Sequence, residues 1–330
     1  MGIKERLERD CNRIDGVFHR HGVPGRTTGG RVTPYVIRYR FDLKRTADAD
    51  RAHSLAGELA AALGVPTCRV ARRGAAVVVE VPRSDPVPVR LLPLLRTVTD
   101  VPPVTAALGI DEEGVPLFIR LPSPTVRHIL VSGVEGCGKT NLLRAMALSL
   151  VLRHPRSGHL VLVLIDPRGG QAFGCFEGLS HLARPVVRDP VEAVEALSSL
   201  VRLVEQRRWM GDDYPPVVAF IDNLAGLEQL GSHHLAQLVE RGHEVGIHLV
   251  AAAKDPVRVP IDFPMHVASR TAVEQVTGQG DFIIFTEGER VLFKAAYVSP
   301  GEIVEAVAAL RRKRPAAIHR SAPIPLPAPA

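Results

Sequence analysis

The chain has 330 residues, 46% hydrophobic and 23% charged, with a formal net charge of +6. This composition is that of a globular protein long enough for two domains with their own cores, and it excludes an intrinsically disordered chain. No apolar run approaches the roughly 18 to 20 residues of a membrane span, the N-terminus Met1-Gly-Ile-Lys-Glu-Arg has no apolar signal segment, and the scattered Cys11, Cys68, Cys137 and Cys175 have no metal-binding spacing and fit a reducing cytoplasm.

Residues 1–17 read as a charged helix and Gly22–Gly30 as a Gly-rich turn. Val32–Leu43 alternates as a strand should, with Tyr35, Ile37, Tyr39 and Phe41 on one face. Asp48 or Asp50 begins a helix running to about Leu63, stopped by Gly64 and Pro66. Cys68–Val81 reads as a hairpin turning at Arg73-Gly74, and Val87–Leu95 is Pro-punctuated and irregular. A turn near Gly109–Gly114 precedes Val115–Leu121, and the domain boundary is placed at Pro122. The first region is thus a smaller α+β domain over residues 1–121, carrying 19 basic against 14 acidic side chains.

The second region, residues 122–310, opens on its strongest signal. The apolar strand Ile129-Leu-Val-Ser132 enters Gly133-Val134-Glu135-Gly136-Cys137-Gly138-Lys139-Thr140, the spacing G-x-x-x-x-G-K-[ST] of a phosphate-binding loop. The glycines let backbone N–H groups converge on the β- and γ-phosphates, and the helix starting at Lys139 presents its positive end there. Lys139 reaches the phosphates, Thr140 Oγ1 holds Mg²⁺, and the helix continues from Asn141 to Leu152. Continuous apolar runs at Leu160–Ile165, Val217–Ile221 and His248–Ala253 alternate with helices at Pro190–Met210 and Leu235–Gly246. That alternation predicts a mostly parallel sheet covered on both faces, with ligands beyond the carboxyl ends of its strands. Asp281–Phe285 and Val291–Val298 suggest a closing hairpin, Gly301–Leu310 a last helix, and residues 311–330 a basic, Pro-rich disordered tail.

A loop of this kind needs a carboxylate at the end of another strand to position Mg²⁺. Asp222, closing an apolar run about 80 residues beyond Lys139, is the candidate, and Asp166 ends the other run. Ring-forming enzymes of this class often follow the metal-site Asp with a Glu that takes the proton of the attacking water. Here the next residue is Asn223, whose amide orients water without accepting its proton, where general-base catalysis typically contributes roughly 10²–10⁴-fold. Glu228 is the nearest carboxylate downstream. The pair His243 and His248 is not a zinc-protease helix: the histidines are five apart and Gly246 ends the helix between them.

Several of these stretches together resemble the FtsK/SpoIIIE DNA translocases of bacteria. They are His128-Ile-Leu-Val-Ser-Gly before the loop, Ile165-Asp-Pro-Arg168, Pro185-Val-Val-Arg-Asp-Pro190, Asp222-Asn-Leu-Ala-Gly-Leu227, Gly246-Ile-His-Leu-Val250 and Gly278-Gln-Gly-Asp281. Thr33-Pro34, Arg38-Tyr39, Leu59-Ala60 and Val65-Pro66 look like the family's α domain, which precedes a RecA-like P-loop NTPase β domain. The resemblance spans about residues 10–310 and takes in the α and β motor domains, without a membrane-spanning or γ domain. It implies a hexameric ring of identical subunits around double-stranded DNA, backbone contacts from the basic α domain, and ATP hydrolysis with Mg²⁺ driving translocation in chromosome or plasmid segregation and transfer. It implies an ATP site at residues 133–141 with Asp166 and Arg168 beside it, and catalytic roles for Lys139, Asp222 and position 223. This chain departs at Asn223, at Lys254-Asp255-Pro256 where the family has Gln-Arg-Pro, and near Arg270, where a segment is shortened. A relative that binds nucleotide without turnover, or one that moves a protein substrate, stays open at this point.

Overall fold

The computed structural model describes residues 3–33, 36–83, 87–209, 214–225, 227–259, 261–269, 279–286 and 289–312. Of the positions singled out above, Pro34, Tyr35, Met210, Arg270, Gly278 and the tail beyond Arg312 lie outside these, as does the side chain of Glu228. The chain divides into two compact units, residues 1–88 and 89–330.

The first unit carries helix α1 (Ile3–Arg20), strands β1 (Gly25–Val32) and β2 (Val36–Leu43), helices α2 (Ala49–Ser54) and α3 (Ala56–Leu63), then strands β3 (Arg69–Arg73) and β4 (Ala76–Pro82). Its antiparallel sheet has the order β1-β2-β4-β3. One sheet face sets Ile37, Tyr39, Phe41, Val70, Val77, Val79 and Val81 into a buried cluster with Ile14, Val17 and Phe18 of α1 and Leu59 and Leu63 of α3. The hairpin at Gly74 forms as expected, with Gly74 in the left-handed region at φ 63°. The Gly22–Gly30 segment does not remain a turn: Gly25–Val32 is strand β1, held by its pairing with β2. The helix expected from Asp48 to Leu63 breaks in two at Leu55, and Asp48 makes no side-chain cap.

The second unit is organised on a nine-stranded sheet of order β6-β5-β13-β12-β11-β7-β10-β9-β8. Helix α4 (Leu91–Thr97) replaces the irregular stretch expected there, with Pro93 tolerated in the first turn. Strands β5 (Thr105–Asp111) and β6 (Pro116–Arg120) form a hairpin whose β5 pairs antiparallel with β13. This moves the boundary from the expected Pro122 back to residue 88, because residues 105–120 belong to the large sheet. Gly109, expected in a turn, lies inside β5, where a Cβ would strike the carbonyl of Lys294.

The half of the sheet that carries the chemistry is parallel: β7 (Ile129–Ser132), β8 (Val161–Ile165), β9 (Val217–Asp222), β10 (Ile247–Ala253) and β11 (Met265–Ser269). Strands β12 (Asp281–Thr286) and β13 (Glu289–Ala295) form the closing hairpin and make the other half antiparallel. Helices α5 (Lys139–Arg153), α6 (Pro190–Arg208), α7 (Leu227–Leu230), α8 (Ser232–Arg241) and α9 (Pro300–Arg312) complete the unit. Every residue of β7 through β10 is buried, the mark of strands covered on both faces. Helix α6 is capped by Asp189, whose Oδ1 accepts from the N–H groups of Val191 and Glu192, with Pro190 in its first turn. No helix among the described residues is long and apolar enough to cross a membrane.

Candidate functional site

The parallel strands end on one edge of the sheet, and the phosphate loop leaves β7 there between the ends of β10 and β11, with Ser132 beside Ala253 and Ala268. Three glycines take positive φ in the loop, Gly133 at 152°, Gly136 at 75° and Gly138 at 105°. At Gly133 the requirement is also steric: a Cβ would press on Ser269 Oγ, lie 2.6 Å from Ser269 Cβ and 2.9 Å from Cys137 Sγ. Val134, Glu135 and Gly136 are exposed, and Cys137 is buried. Gly133 N–H donates to Ala253 O at 3.2 Å, and Cys137 O accepts from Gly280 N–H at 2.8 Å, so the loop is anchored on both sides.

Lys139 is buried, and its ammonium donates to the carbonyls of Gly133 at 2.7 Å and Val134 at 2.9 Å, drawing the loop around the charge. Thr140, in the first turn of α5, donates through Oγ1 to Asp222 Oδ2. Asp222 ends β9 and its other oxygen lies 3.8 Å from Arg168 Nη2. Burial pushes the Asp222 carboxyl above the ordinary carboxylate range; Thr140 and Arg168 pull it back, the charge of Asp166 raises it and that of Lys139 lowers it. Hard oxygens from Thr140 and Asp222, already adjacent, are a donor set suited to Mg²⁺.

Asp166 and Asn141 are placed close by, yet their polar atoms face the protein. Asp166, beyond β8, accepts from Arg168 N–H at 3.2 Å and Ala172 N–H at 2.7 Å, which shapes the loop that carries Arg168. Asn141 donates to Ala296 O at 2.8 Å and accepts from Val298 N–H at 3.2 Å, joining α5 to the chain after β13. Asn223 is buried next to Asp222, and its Oδ1 accepts from Ala225 N–H at 2.9 Å, closing a local turn. Lys254 is exposed just past β10, and Asp255 caps the following 3-10 turn through Val257 N–H at 3.0 Å.

No motif in the sequence marks Ser269. It is fully buried at the end of β11, packs against Gly133, and its Oγ has no hydrogen-bond partner among the described residues. Reaching it required recognising Met265–Ser269 as a strand, which five residues after Pro264 do not announce. Gly280 was legible only through the resemblance at Gly278-Gln-Gly-Asp281.

Comparison with known proteins agrees with this geometry. The family model described as "FtsK alpha domain" matches residues 2–83, and that of the FtsK/SpoIIIE family matches residues 95–210, together more than half of the chain. DNA translocase FtsK of Tropheryma whipplei is 26% identical over 91% of this chain and 48% of its own. DNA translocase FtsK of Mycobacterium tuberculosis is 27% identical over 91% of this chain and 43% of its own. The chain thus spans about half the length of the curated relatives it matches. Among solved structures, the pCW3 conjugation coupling protein TcpA, determined with ATPγS, superposes with a TM-score of 0.59 at 16% identity, covering 92% of this chain and 99% of that one. The cytoplasmic domain of the type VII secretion ATPase EccC of Thermomonospora curvata gives 0.58 at 20% identity, over 68% of this chain and 34% of that one. These structures share the P-loop ATPase fold seen here, and the two family matches, falling on the first unit and on the phosphate loop with its neighbouring elements, show that the chain belongs to the FtsK/SpoIIIE family.

Proposed function

We propose that this chain is an ATP-hydrolysing motor that moves double-stranded DNA, working in the cytoplasm as a ring of identical subunits, six by analogy with its family. The observation that carries the reading is the constellation of Lys139, Thr140 and Asp222 around a loop that tolerates only glycine at position 133. In this mechanism the loop N–H groups and the N-terminal end of α5 hold the β- and γ-phosphates. Lys139 exchanges the carbonyls of Gly133 and Val134 for phosphate oxygens, and Thr140 with Asp222 holds Mg²⁺. The metal, when bound, neutralises charge that develops between the β- and γ-phosphates. Asp166 acts on the site through Arg168, by fixing the loop from which that guanidinium reaches Asp222. The first unit is the α domain, and the second the RecA-like motor domain.

Asn223 favours a second reading, a family member that binds ATP and does not turn it over, because an amide committed to Ala225 N–H offers no base. Steady-state hydrolysis with and without duplex DNA separates the two. The motor reading expects DNA-stimulated turnover that Lys139→Ala abolishes. Tight ATP binding without turnover, restored by Asn223→Glu, overturns it in favour of the second. Imaging of particles with ATP tests the ring.

A further inference from the structure

One charged side chain of the phosphate loop has no part in the site described so far. Glu135 stands at the exposed tip of the loop, between Val134 and the left-handed Gly136 at φ 75°. Its carboxylate makes no hydrogen bond or ion pair among the described residues. The carbonyl of Val134, in the peptide bond that leads into Glu135, accepts from Lys139 Nζ at 2.9 Å, so Glu135 adjoins the ammonium that goes to the phosphates. A carboxylate there works against binding, because a loop that gathers anions with its N–H groups and a lysine gains no affinity from a like charge beside the ligand. Nor does the side chain support the fold, having no partner to hold. Among the described residues, the carboxylates that end or follow the parallel strands are all engaged. Asp222 accepts from Thr140 and lies 3.8 Å from Arg168, Asp166 accepts from Arg168 N–H and Ala172 N–H, and Asp255 caps a turn through Val257 N–H. Position 223, beside the metal-site Asp222, carries an amide committed to Ala225 N–H. The task these residues leave open is removal of a proton from the attacking water, and Glu135 is the carboxylate free to do it.

We propose that Glu135 is the general base of ATP hydrolysis in this chain. Its carboxylate takes a proton from a water molecule as the water oxygen bonds to the γ-phosphorus. The bond from that phosphorus to the β–γ bridging oxygen breaks, and its electron pair leaves with ADP. The products are ADP and inorganic phosphate, and the protonated Glu135, being exposed, returns its proton to solvent. A base on the loop, rather than at the end of β9, is positioned by the shape of the loop itself. The far side of that loop is fixed, with Gly133 against Ser269 and Cys137 O bonded to Gly280 N–H, so the backbone that carries Glu135 is tied at both ends.

This rests on the hydrolysis proposed above, and the test keeps the two apart. ATP turnover with and without duplex DNA, and affinity for ATPγS, are measured on the full chain for the natural sequence, Glu135→Gln, Glu135→Ala and Glu228→Gln. Melting temperature confirms folding. Glu135→Gln lowers kcat roughly 10²-fold or more and binds ATPγS at least as tightly as the natural protein, a split that a structural role would not produce. Formate restores part of the turnover of Glu135→Ala by supplying a small carboxylate where the side chain was removed. Asn223→Glu in the Glu135→Gln background restores turnover from the strand end. Turnover of Glu135→Gln within a few-fold of the natural protein overturns the assignment and leaves the motor reading standing, and loss of turnover in Glu228→Gln alone does the same. Loss of turnover together with ATPγS affinity makes Glu135 a binding residue and likewise overturns it. A natural protein that binds ATPγS and turns over no ATP, with duplex DNA or without, overturns the motor reading and this proposal together.

Discussion

Asn141 follows the phosphate-loop threonine directly and reads in the sequence as part of the nucleotide site, whereas its amide bridges α5 to Ala296 and Val298. Asn141→Ala removes both bonds and leaves the buried Ala296 carbonyl and Val298 N–H without them. Stranding a buried backbone group costs about 1–3 kcal/mol, so the pair together costs roughly 2–5 kcal/mol. For a cooperative unit of this size each kcal/mol lowers Tm by about 2–4 °C, which sets a fall of roughly 4–20 °C. Asn141→Asp keeps an acceptor for Val298 N–H and turns a carboxylate oxygen toward Ala296 O. It is therefore at least as damaging at neutral pH and partly recovers below about pH 4, where the protonated acid donates again. The assay is thermal unfolding with and without ATP, paired with calorimetric measurement of nucleotide affinity. If Asn141 braces the fold, Tm falls while affinity stays within a few-fold of the natural protein. An unchanged Tm with nucleotide binding lost would refute it and return Asn141 to the ligand shell.

Gly133→Ala forces a Cβ against Ser269 and Cys137 at positive φ, so a cost of about 1–3 kcal/mol and at least a tenfold loss of nucleotide affinity are expected by calorimetry. Asp222 has a carboxyl raised by burial, so the native state holds its proton more tightly than the unfolded chain. The stability this contributes is present below the unfolded pKa and lost as pH rises through the folded one, so Asp222→Asn raises Tm at pH 7 without metal, while Mg²⁺-dependent nucleotide binding disappears. The Tm advantage closes as pH falls through the carboxylate range. Burial and the neighbouring His248 and His243 lower His128 to about 3, so the unfolded chain binds a proton there that the native state refuses. The unfolding free energy from urea titration falls as pH drops from about 6.5 toward 3, by up to roughly 5 kcal/mol from this residue, and His128→Gln flattens that dependence.

The phosphate loop and Asp222 were legible because their information is local. An apolar strand, a Gly-rich turn and a helix start lie within about two dozen residues, and β9 is a continuous apolar run closed by its carboxylate. What stayed hidden depends on partners far along the chain. Strand β1, Gly-Arg-Thr-Thr-Gly-Gly-Arg-Val, has turn composition and becomes a strand through its ladder with β2. Strand β5 reads as the approach to a turn because Gly109 is required by the carbonyl of Lys294 on β13. The bracing role of Asn141 rests on partners 155 and 157 residues away, and no pattern around position 141 encodes them. Asn223 was legible as a departure from its family, but its commitment to Ala225 belongs to the folded turn.

The loop is anchored on both sides, by Gly133 N–H on Ala253 O of β10 and by contacts that lead toward β11, β12 and β13. Asp166 follows β8 and Asp222 is the last residue of β9, on the parallel side. Gly133 rests on Ser269 of β11, Cys137 O takes the N–H of Gly280, Gly280 O takes the N–H of Ala295 on β13, and Asn141 holds the next residues. Lys294 of β13 adds an ion pair with Asp281 at 3.1 Å and a bond to Gln279 O at 2.7 Å. A continuous series of hydrogen bonds therefore runs from the phosphate loop to the β12–β13 hairpin. Ligand-induced movement of the Cys137 carbonyl strains the Gly280 bond unless the hairpin end follows. Packed segments with few arrangements transmit such displacements because they resist gradual deformation. The β12–β13 hairpin is thus joined to the phosphate loop through Gly280, while β10 holds the loop's other side through Ala253 O.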